Sequence, residues 1–172
     1  MTRIAPLNLE NATDATRPML EGVQKKIGFL PNVFRVLALS PTVLGHYMQS
    51  SASLSKTSLT DLEKESVFLA TSQANGCDYC LAAHTLFAGK AGYKNTEILS
   101  AREGKLDAFA RLAKQITESR GHLTNEQIAE ARAAGITDAK IVEVIAHVAS
   151  QTLTNYLNNV ALTDIDFPAI DA

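Results

Sequence analysis

Both cysteines of the 172-residue chain lie in one short segment, Ala74-Asn75-Gly76-Cys77-Asp78-Tyr79-Cys80-Leu81-Ala82-Ala83-His84. The Asn-Gly pair favours a turn, and the residues after it favour helix, so we expect Cys77 at or next to a helix N-terminus. Side chains three and four positions apart share one face of a helix. The spacing therefore predicts that Cys77, Cys80 and His84 form a single stripe.

A helix N-terminus suits thiol chemistry. Unpaired backbone N–H groups and the helix dipole lower the pKa of a thiol there. His84, one turn beyond Cys80, could accept its proton, so the pattern predicts a dithiol that ionises and closes into a disulfide. One alternative is a pair of buried apolar cysteines. Another is a zinc site with Glu65 as fourth ligand, although three ligands on one stripe do not easily enclose a metal.

The helix before this stretch carries an unusual carboxylate. Thr60 and Glu63 form a capping box, which predicts that a helix begins there. Within this helix Glu65 has apolar helical neighbours, Leu62 and Phe68. A carboxylate that faces a core is costly unless it is paired or protonated. We therefore predict a functional role for Glu65, with a structural salt bridge as the alternative.

Together these residues resemble a known family. Glu65, an eleven-residue gap and then Cys77-x-x-Cys80-x-x-x-His84 resemble the signature of AhpD-like alkylhydroperoxidases, in the carboxymuconolactone decarboxylase superfamily. The resemblance is specific over residues 59–92. Two further segments resemble the peroxidase-related branch of the family more loosely: Leu30-Pro31-Asn32-Val33-Phe34 and Thr154-Asn155-Tyr156-Leu157.

The resemblance implies an AhpD-like helical bundle and a thiol-dependent peroxidase or disulfide oxidoreductase. In that family the second cysteine attacks the peroxide, which implies this role for Cys80, with Cys77 resolving the sulfenic acid as a disulfide. His84 would deprotonate Cys80, and Glu65 would hold His84 or a relaying water. No metal or organic cofactor is needed, and an unidentified thiol donor would re-reduce the pair.

One position departs from the family pattern. The best-known members carry histidine immediately before the second cysteine, where this chain has Tyr79. Tyrosine is a poor base near neutral pH, with a pKa of roughly 10, so we interpret Tyr79 as part of the wall of the site.

Two other hypotheses for the function compete with the peroxidase. A carboxymuconolactone decarboxylase-like, non-redox enzyme would use His84 and Glu65 as acid and base on a lactone acid. Members with that chemistry typically lack the CxxC motif, so its presence counts against this hypothesis. The third hypothesis is a redox sensor without turnover.

The whole chain indicates a single domain over residues 1–172, with 1–58 as an N-terminal helical extension. It is 46% hydrophobic and 20% charged, with a net charge of −2, so no basic excess indicates nucleic-acid binding. No apolar run approaches the roughly 20 residues of a membrane span, and no signal-peptide h-region is present. We therefore predict a cytoplasmic protein.

The helical pattern continues along the chain, and no segment alternates with the period of a strand, so the predicted fold is all-α. Residues Ser50–Ser58 are predicted to be a connector. A faint internal repeat aligns Thr60-Asp61 with Thr137-Asp138 at a constant offset. His147, on the predicted last helix, lies on a polar stripe with Gln151 and is predicted to face solvent or an interface. Helices are predicted near 14–27, 31–38, 41–49, 60–75, 77–90, 96–102, 105–119, 124–135 and 138–162.

Two short helices around Phe34 and Tyr47 carry more apolar residues than one face of each would bury, which predicts a subunit interface close to the active site. The resemblance implies a trimer or hexamer. The alternative is that these residues close the core of the monomer. The residues are Val33, Phe34, Val36, Leu37, Leu39, Val43, Leu44, Tyr47 and Met48.

Overall fold

The computed structural model describes residues 2–168, and in this range the protein is all-α, as predicted, with no strand. A 3-10 turn at Leu9–Asn11 precedes the helices. Nine α-helices follow: α1 (Arg17–Ile27), α2 (Asn32–Leu37), α3 (Pro41–Leu54), α4 (Asp61–Ala74), α5 (Asp78–Ala91), α6 (Asn95–Arg102), α7 (Ala108–Ser119), α8 (Asn125–Ala133) and α9 (Asp138–Ala161).

Side-chain caps begin the helices that position the site. The predicted capping box at the start of α4 is present, because Thr60 accepts a hydrogen bond from the Glu63 N–H and the Glu63 carboxylate accepts one from the Thr60 N–H. Thr137 caps α9 through the Lys140 N–H. Such caps typically contribute about 0.5–2 kcal/mol each.

Helix α4 lies at the centre of the bundle, where it packs against α5, α6, α7 and α9. Val67 of α4 and Val144 of α9 are both fully buried in one core cluster. These two valines correspond in the predicted repeat, and Thr60 and Thr137 cap the helices that contain them. The second half of the repeat is one continuous 24-residue helix, α9. The first half is divided into α4 and α5, and the cysteine motif begins in the break between Ala74 and Asp78.

The N-terminal helices pack directly on the CxxC helix. Leu20, Leu37 and Leu44 share a buried cluster with Cys77 and Cys80. Of the nine predicted interface residues, four are buried, three are partly buried and two, Leu39 and Val43, are exposed. The chain itself covers part of the apolar surface from which the interface was predicted, and the interface close to the active site stays a prediction.

Three predicted helix limits also need correction, and the first is the start of α1, which begins at Arg17 and not at residue 14. The connector predicted at 50–58 is wrong in its first half, because α3 continues to Leu54. Serine costs only about half a kcal/mol in a helix, so packing decides the outcome there. The helix predicted from Lys105 begins at Ala108, because the Asp107 carboxylate accepts from the Ala110 N–H and acts as its cap. Among the described helices, none is both long and apolar enough to cross a membrane.

Candidate active site

The structure brings the four residues proposed from the sequence into one cluster at the junction of α4, α5 and α9. Cys77 is the N-cap of α5, as predicted, and Cys80 and His84 follow on that helix. Glu65 projects from α4 and bonds His84. Helix α9 closes the cluster with amide side chains that the sequence analysis did not identify.

The two thiols are buried and in contact. Cys77 is 0% exposed and Cys80 is 4% exposed. Both are free, and their Sγ atoms lie 2.8 Å apart, with the Cys77 thiol donating to the Cys80 sulfur. The Cys80 N–H in turn donates to the Cys77 Sγ at 3.4 Å.

This contact shifts the pKa values of the two thiols in opposite directions. The hydrogen bond from Cys77 lowers the pKa of Cys80 to about 6; burial opposes this, while Asn158 and the charge of His84 reinforce it. Donation to Cys80, followed by burial, raises the pKa of Cys77. The contact therefore favours the thiolate on Cys80 and keeps the proton on Cys77.

His84 is held from both sides. Its Nδ1 lies 2.9 Å from the Glu65 Oε2, and both side chains are largely buried, with 16% and 13% exposed. Its Nε2 lies 3.2 Å from the Oε1 of Gln151. The amide of Gln151 donates to the Ser72 Oγ at 2.9 Å, which directs its Oε1 toward the ring. Both ring nitrogens then face acceptors, which is the arrangement of an imidazolium.

The electrostatics agree with a charged ring. Burial opposes a positive charge on His84, but the Glu65 carboxylate, the Cys80 thiolate and the Gln151 carbonyl outweigh it and raise the pKa of His84. Neither ring nitrogen forms a hydrogen bond to Cys80 in the structure. His84 and Cys80 are therefore not joined by the direct hydrogen bond that the sequence led us to expect.

A buried stripe of amides on α9 completes the site. Asn158 donates from its Nδ2 to the Cys80 Sγ at 3.4 Å. Asn155 donates to Ser72 and accepts from Asn75, which fixes the turn before the cysteines. In the sequence, Gln151, Asn155 and Asn158 lie at i, i+4 and i+7. This spacing could have identified them, because amides that repeat on one helix face indicate a polar contact.

Tyr79 has a structural role. Its hydroxyl donates to the Asp166 carboxylate at 2.8 Å and accepts from the Val33 N–H at 3.1 Å. Burial raises its pKa, as does Asp166, while the bond from Val33 opposes them. Because both hydrogen bonds lead away from the thiols, Tyr79 joins the N-terminal helices to the C-terminal segment.

Beside Cys80 lies a cavity of about 130 Å³ with mainly apolar walls. Phe167 closes one side, with its ring centroid 5.5 Å from those of Phe29 and Tyr79 in edge-to-face contacts. Burial and the charge of Cys80 raise the pKa of Tyr47 to about 12, so this hydroxyl keeps its proton. The polar lining consists mainly of Cys80, His84, Gln151, Thr154 and Asn158.

The remaining histidines lie apart from the thiols. His46 and His122 are exposed. His147 is 2% exposed, so of the two predicted positions the solvated face is excluded. The long connection between α3 and α4 covers it, and Thr57 bonds its Nε2. In residues 2–168, no group of three or more His, Cys, Asp or Glu side chains has an arrangement that could hold a metal ion.

Comparison with known proteins agrees with this architecture. Residues 41–111 match the model of the carboxymuconolactone decarboxylase family. No curated protein sequence matches the chain significantly. The fold is similar to that of an alkylhydroperoxidase AhpD core, an uncharacterised peroxidase-related protein from Ralstonia eutropha JMP134, with a TM-score of 0.84, 24% identity, and coverage of 96% of this chain and 92% of that chain.

Two further structures share the fold. An uncharacterised peroxidase-related protein from Silicibacter sp. TM1040 has a TM-score of 0.80 and 21% identity, over 95% of this chain and 91% of that one. A cysteine-to-alanine variant of the debrominase Bmp8, in complex with 2,3,4-tribromopyrrole, has a TM-score of 0.77 and 20% identity, over 96% and 92%. Residues 41–111 thus match the carboxymuconolactone decarboxylase family model, and the chain as a whole has the AhpD-like helical fold of these structures.

Proposed function

We propose that the protein is a thiol-dependent hydroperoxidase in which Cys80 attacks the peroxide and Cys77 resolves the product. The observation that carries this proposal is the Cys80 thiolate on the wall of an apolar cavity, with a protonated thiol 2.8 Å away. A low pKa makes Cys80 a nucleophile at neutral pH. The neighbouring thiol limits the lifetime of an oxidised Cys80.

The reaction balances within these residues and one external reductant. The Cys80 thiolate attacks the outer peroxide oxygen, the O–O bond breaks, and Cys80 becomes a sulfenic acid while the alkoxide leaves. The alkoxide takes a proton from the imidazolium of His84, which lines the same cavity. The Cys77 thiol then attacks Cys80, forming the disulfide and releasing water. Two equivalents of an external thiol restore both cysteines.

Glu65 and Gln151 serve as positioning residues in this scheme. They hold the His84 ring from opposite sides and favour its charged form. The charge stabilises the Cys80 thiolate before the attack and supplies the proton to the leaving oxygen. The family match and the peroxidase-related structures support a peroxidase-related function in general terms.

The non-redox hypothesis gains less support. A decarboxylase-like enzyme could use the His84–Glu65 pair as acid and base, as the family name suggests. It would have no use for a thiolate held by Cys77 and Asn158. The contacts of Cys80 with Cys77 and Asn158 therefore favour thiol chemistry over acid–base chemistry on a lactone. A redox sensor without turnover would use the same disulfide, and catalytic consumption of peroxide separates the two.

A second candidate is reductive debromination. The aromatic lining near Cys80, which includes Phe34, Tyr79, Phe87 and Phe167, suits a flat ring, and a debrominase shares the fold. The dithiol would supply two electrons, so that a carbon–bromine bond becomes carbon–hydrogen and bromide leaves as the disulfide forms.

The predicted homo-oligomer remains a proposal, and a different surface now supports it. Helix α9 exposes a row of apolar side chains on one face, three, eleven and four positions apart: Val142, Ile145, Tyr156 and Val160, at 65%, 48%, 58% and 61% exposure. Such a row on one helix face is typical of a subunit contact. Light scattering after size exclusion tests it: a monomer refutes the proposal, and a Val142→Glu variant should shift an oligomer toward monomer.

Consumption of cumene hydroperoxide with dithiothreitol tests the proposed activity. The wild type should turn over many equivalents, Cys80→Ser should be inactive, and His84→Gln should be slower. The exposed His46→Gln serves as the matched control and should behave as wild type. Consumption by Cys80→Ser at the wild-type rate would refute the role of Cys80. Bromide release from 2,3,4-tribromopyrrole without peroxide turnover would favour the debrominase.

A further inference from the structure

Tyr47 lies in the wall of the cavity beside Cys80, and the proposed reaction gives it no role. It follows Leu44 by one turn of α3, and Leu44 is fully buried in the cluster that contains both cysteines. The ring of Tyr47 packs on that of Phe34, another residue of this wall, with centroids 5.8 Å apart. These contacts hold the Tyr47 ring at the edge of the space that a substrate of Cys80 would enter.

The hydroxyl of Tyr47 has no hydrogen-bond partner among residues 2–168. Burial and the charge of Cys80 raise its pKa, and no hydrogen bond contributes to that shift. Unlike the unpaired Oγ1 of Thr71, which is completely enclosed, the Tyr47 oxygen keeps accessible surface. Because the charge of Cys80 acts on this hydroxyl, the two groups lie near each other. The hydroxyl is therefore a protonated donor, without an acceptor, in the vicinity of the thiolate.

The other side-chain donors in this cavity wall already have acceptors within the protein. These donor–acceptor pairs are His84 with Glu65 and with Gln151, Asn158 with Cys80, Gln151 with Ser72, Thr154 with the Gln151 carbonyl, and Tyr79 with Asp166. Among the described residues, Tyr47 is thus the side-chain donor of this wall that has none.

The proposed reaction creates an acceptor in the same cavity. When the Cys80 thiolate bonds to the outer peroxide oxygen, the electron pair of the O–O bond moves onto the inner oxygen, which leaves as an alkoxide. A hydrogen bond to a charged oxygen is roughly twice as strong as one to a neutral oxygen. A donor fixed where the charge develops therefore stabilises the transition state more than the bound peroxide.

We propose that Tyr47 is a further catalytic residue, whose hydroxyl donates a hydrogen bond to the leaving oxygen of the peroxide. This inference rests on the proposed peroxidase function. The tyrosine proton stays on its own oxygen throughout. The proton that completes the alcohol still comes from His84, so the balance of the reaction does not change.

Tyr47→Phe is the variant that tests this role, because it removes the hydroxyl and keeps the ring. No protein group loses a hydrogen-bond partner, so the fold should be unaffected. Quenched-flow oxidation of the reduced protein by cumene hydroperoxide measures the first step without the external reductant. The rate constant should fall about a hundredfold in the variant, as is typical when a donor to a developing oxyanion is removed.

A second oxidant separates this role from a merely structural one. Peracetic acid gives the same sulfenic acid on Cys80, but its leaving group is acetate, a weak base that needs little stabilisation. The same substitution should then slow oxidation by at most about threefold, because a weakly basic oxygen gains less from a hydrogen bond. A distorted cavity would slow both oxidants alike.

Two controls complete the experiment. Alkylation by iodoacetamide uses the same Cys80 thiolate, but iodide leaves instead of an oxygen, so Tyr47→Phe should be alkylated at the wild-type rate. Tyr93→Phe is the matched control variant. It removes a phenol hydroxyl that bonds Ser66 at 2.8 Å, outside this cavity, and should be oxidised as fast as wild type.

The inference is overturned if cumene hydroperoxide oxidises Tyr47→Phe at the wild-type rate, or if the variant loses the same factor with both oxidants. It is also overturned if alkylation slows as much as oxidation, since Tyr47 would then act on the thiolate itself. In each of these results the wild type still reduces peroxide, and the proposed function stands. A wild type that neither oxidant converts to the disulfide refutes the proposed function, and this inference with it.

Discussion

Replacing Asn158 by leucine should raise the pKa of the Cys80 thiol. Asn158 is 3% exposed and donates its Nδ2 to the Cys80 Sγ at 3.4 Å. Its Oδ1 has no partner among the described residues, so leucine, of similar size, removes one donor and leaves no other protein group unpaired. The change therefore isolates the hydrogen bond to the thiolate.

The magnitude follows from that bond. A hydrogen bond to a charged group contributes about 1.5–3 kcal/mol, and a long bond to sulfur belongs at the lower end. One pKa unit corresponds to about 1.4 kcal/mol. The pKa of Cys80, lowered to about 6 in the wild type, should then rise by about one unit in the variant.

The assay is the pH dependence of alkylation by iodoacetamide, followed at Cys80 by peptide mass spectrometry on the reduced protein. The readout is the midpoint of the profile, because the plateau rate itself rises as a thiolate becomes more basic. The exposed Asn125→Leu should leave the midpoint unchanged. An unchanged midpoint in Asn158→Leu would refute the claim that α9 stabilises the thiolate.

Three further predictions concern the roles and the packing. In Cys77→Ser, one equivalent of peroxide should leave a sulfenic acid on Cys80 that dimedone traps, and labelling elsewhere would contradict the assignment. Glu65→Gln should lower the pKa of His84 by at least about one unit, since the imidazolium loses its counter-charge; NMR titration measures it, and an unchanged pKa argues against the pair. Leu44→Ala, at a fully buried position, should lower the free energy of unfolding by about 2–5 kcal/mol in urea titration, and a loss under 1 kcal/mol would contradict the packing.

Local signals in the sequence predicted the part of the site that lies on α4 and α5. The capping box at Thr60 and the turn before Cys77 fix where α4 and α5 begin, and helical spacing then sets Cys80 and His84 on one stripe. Glu65 was recognised because a carboxylate among apolar neighbours needs a partner. Each of these inferences depends on contacts within a few turns of helix, which periodicity describes well.

The contribution of α9 could not be predicted in the same way. Gln151 and His147 looked like parts of a solvated stripe, yet both are buried. Polar residues at helical spacing look the same whether water or another helix covers them. Only the packing of α9 against α4 and α5 decides this, and that packing joins residues more than sixty positions apart.

The same limit applies to the N-terminal helices. Their apolar residues exceed one face of each helix, and the sequence does not say whether a partner subunit or α5 covers them. Tyr79 illustrates the point, because its role depends on Asp166 and Val33, at distant positions in the chain. Amphipathicity predicts that a face is covered, and tertiary packing determines what covers it.

The central claim is that Cys80 and Cys77 form one two-electron unit that reduces a peroxide. The most direct measurement adds one equivalent of cumene hydroperoxide to the reduced protein and follows intact mass, peptide linkage and the alcohol product together. We expect a mass lower by two hydrogens, a linkage between the two cysteines, and one equivalent of alcohol per chain. Two free thiols and unreacted peroxide after mixing would contradict it.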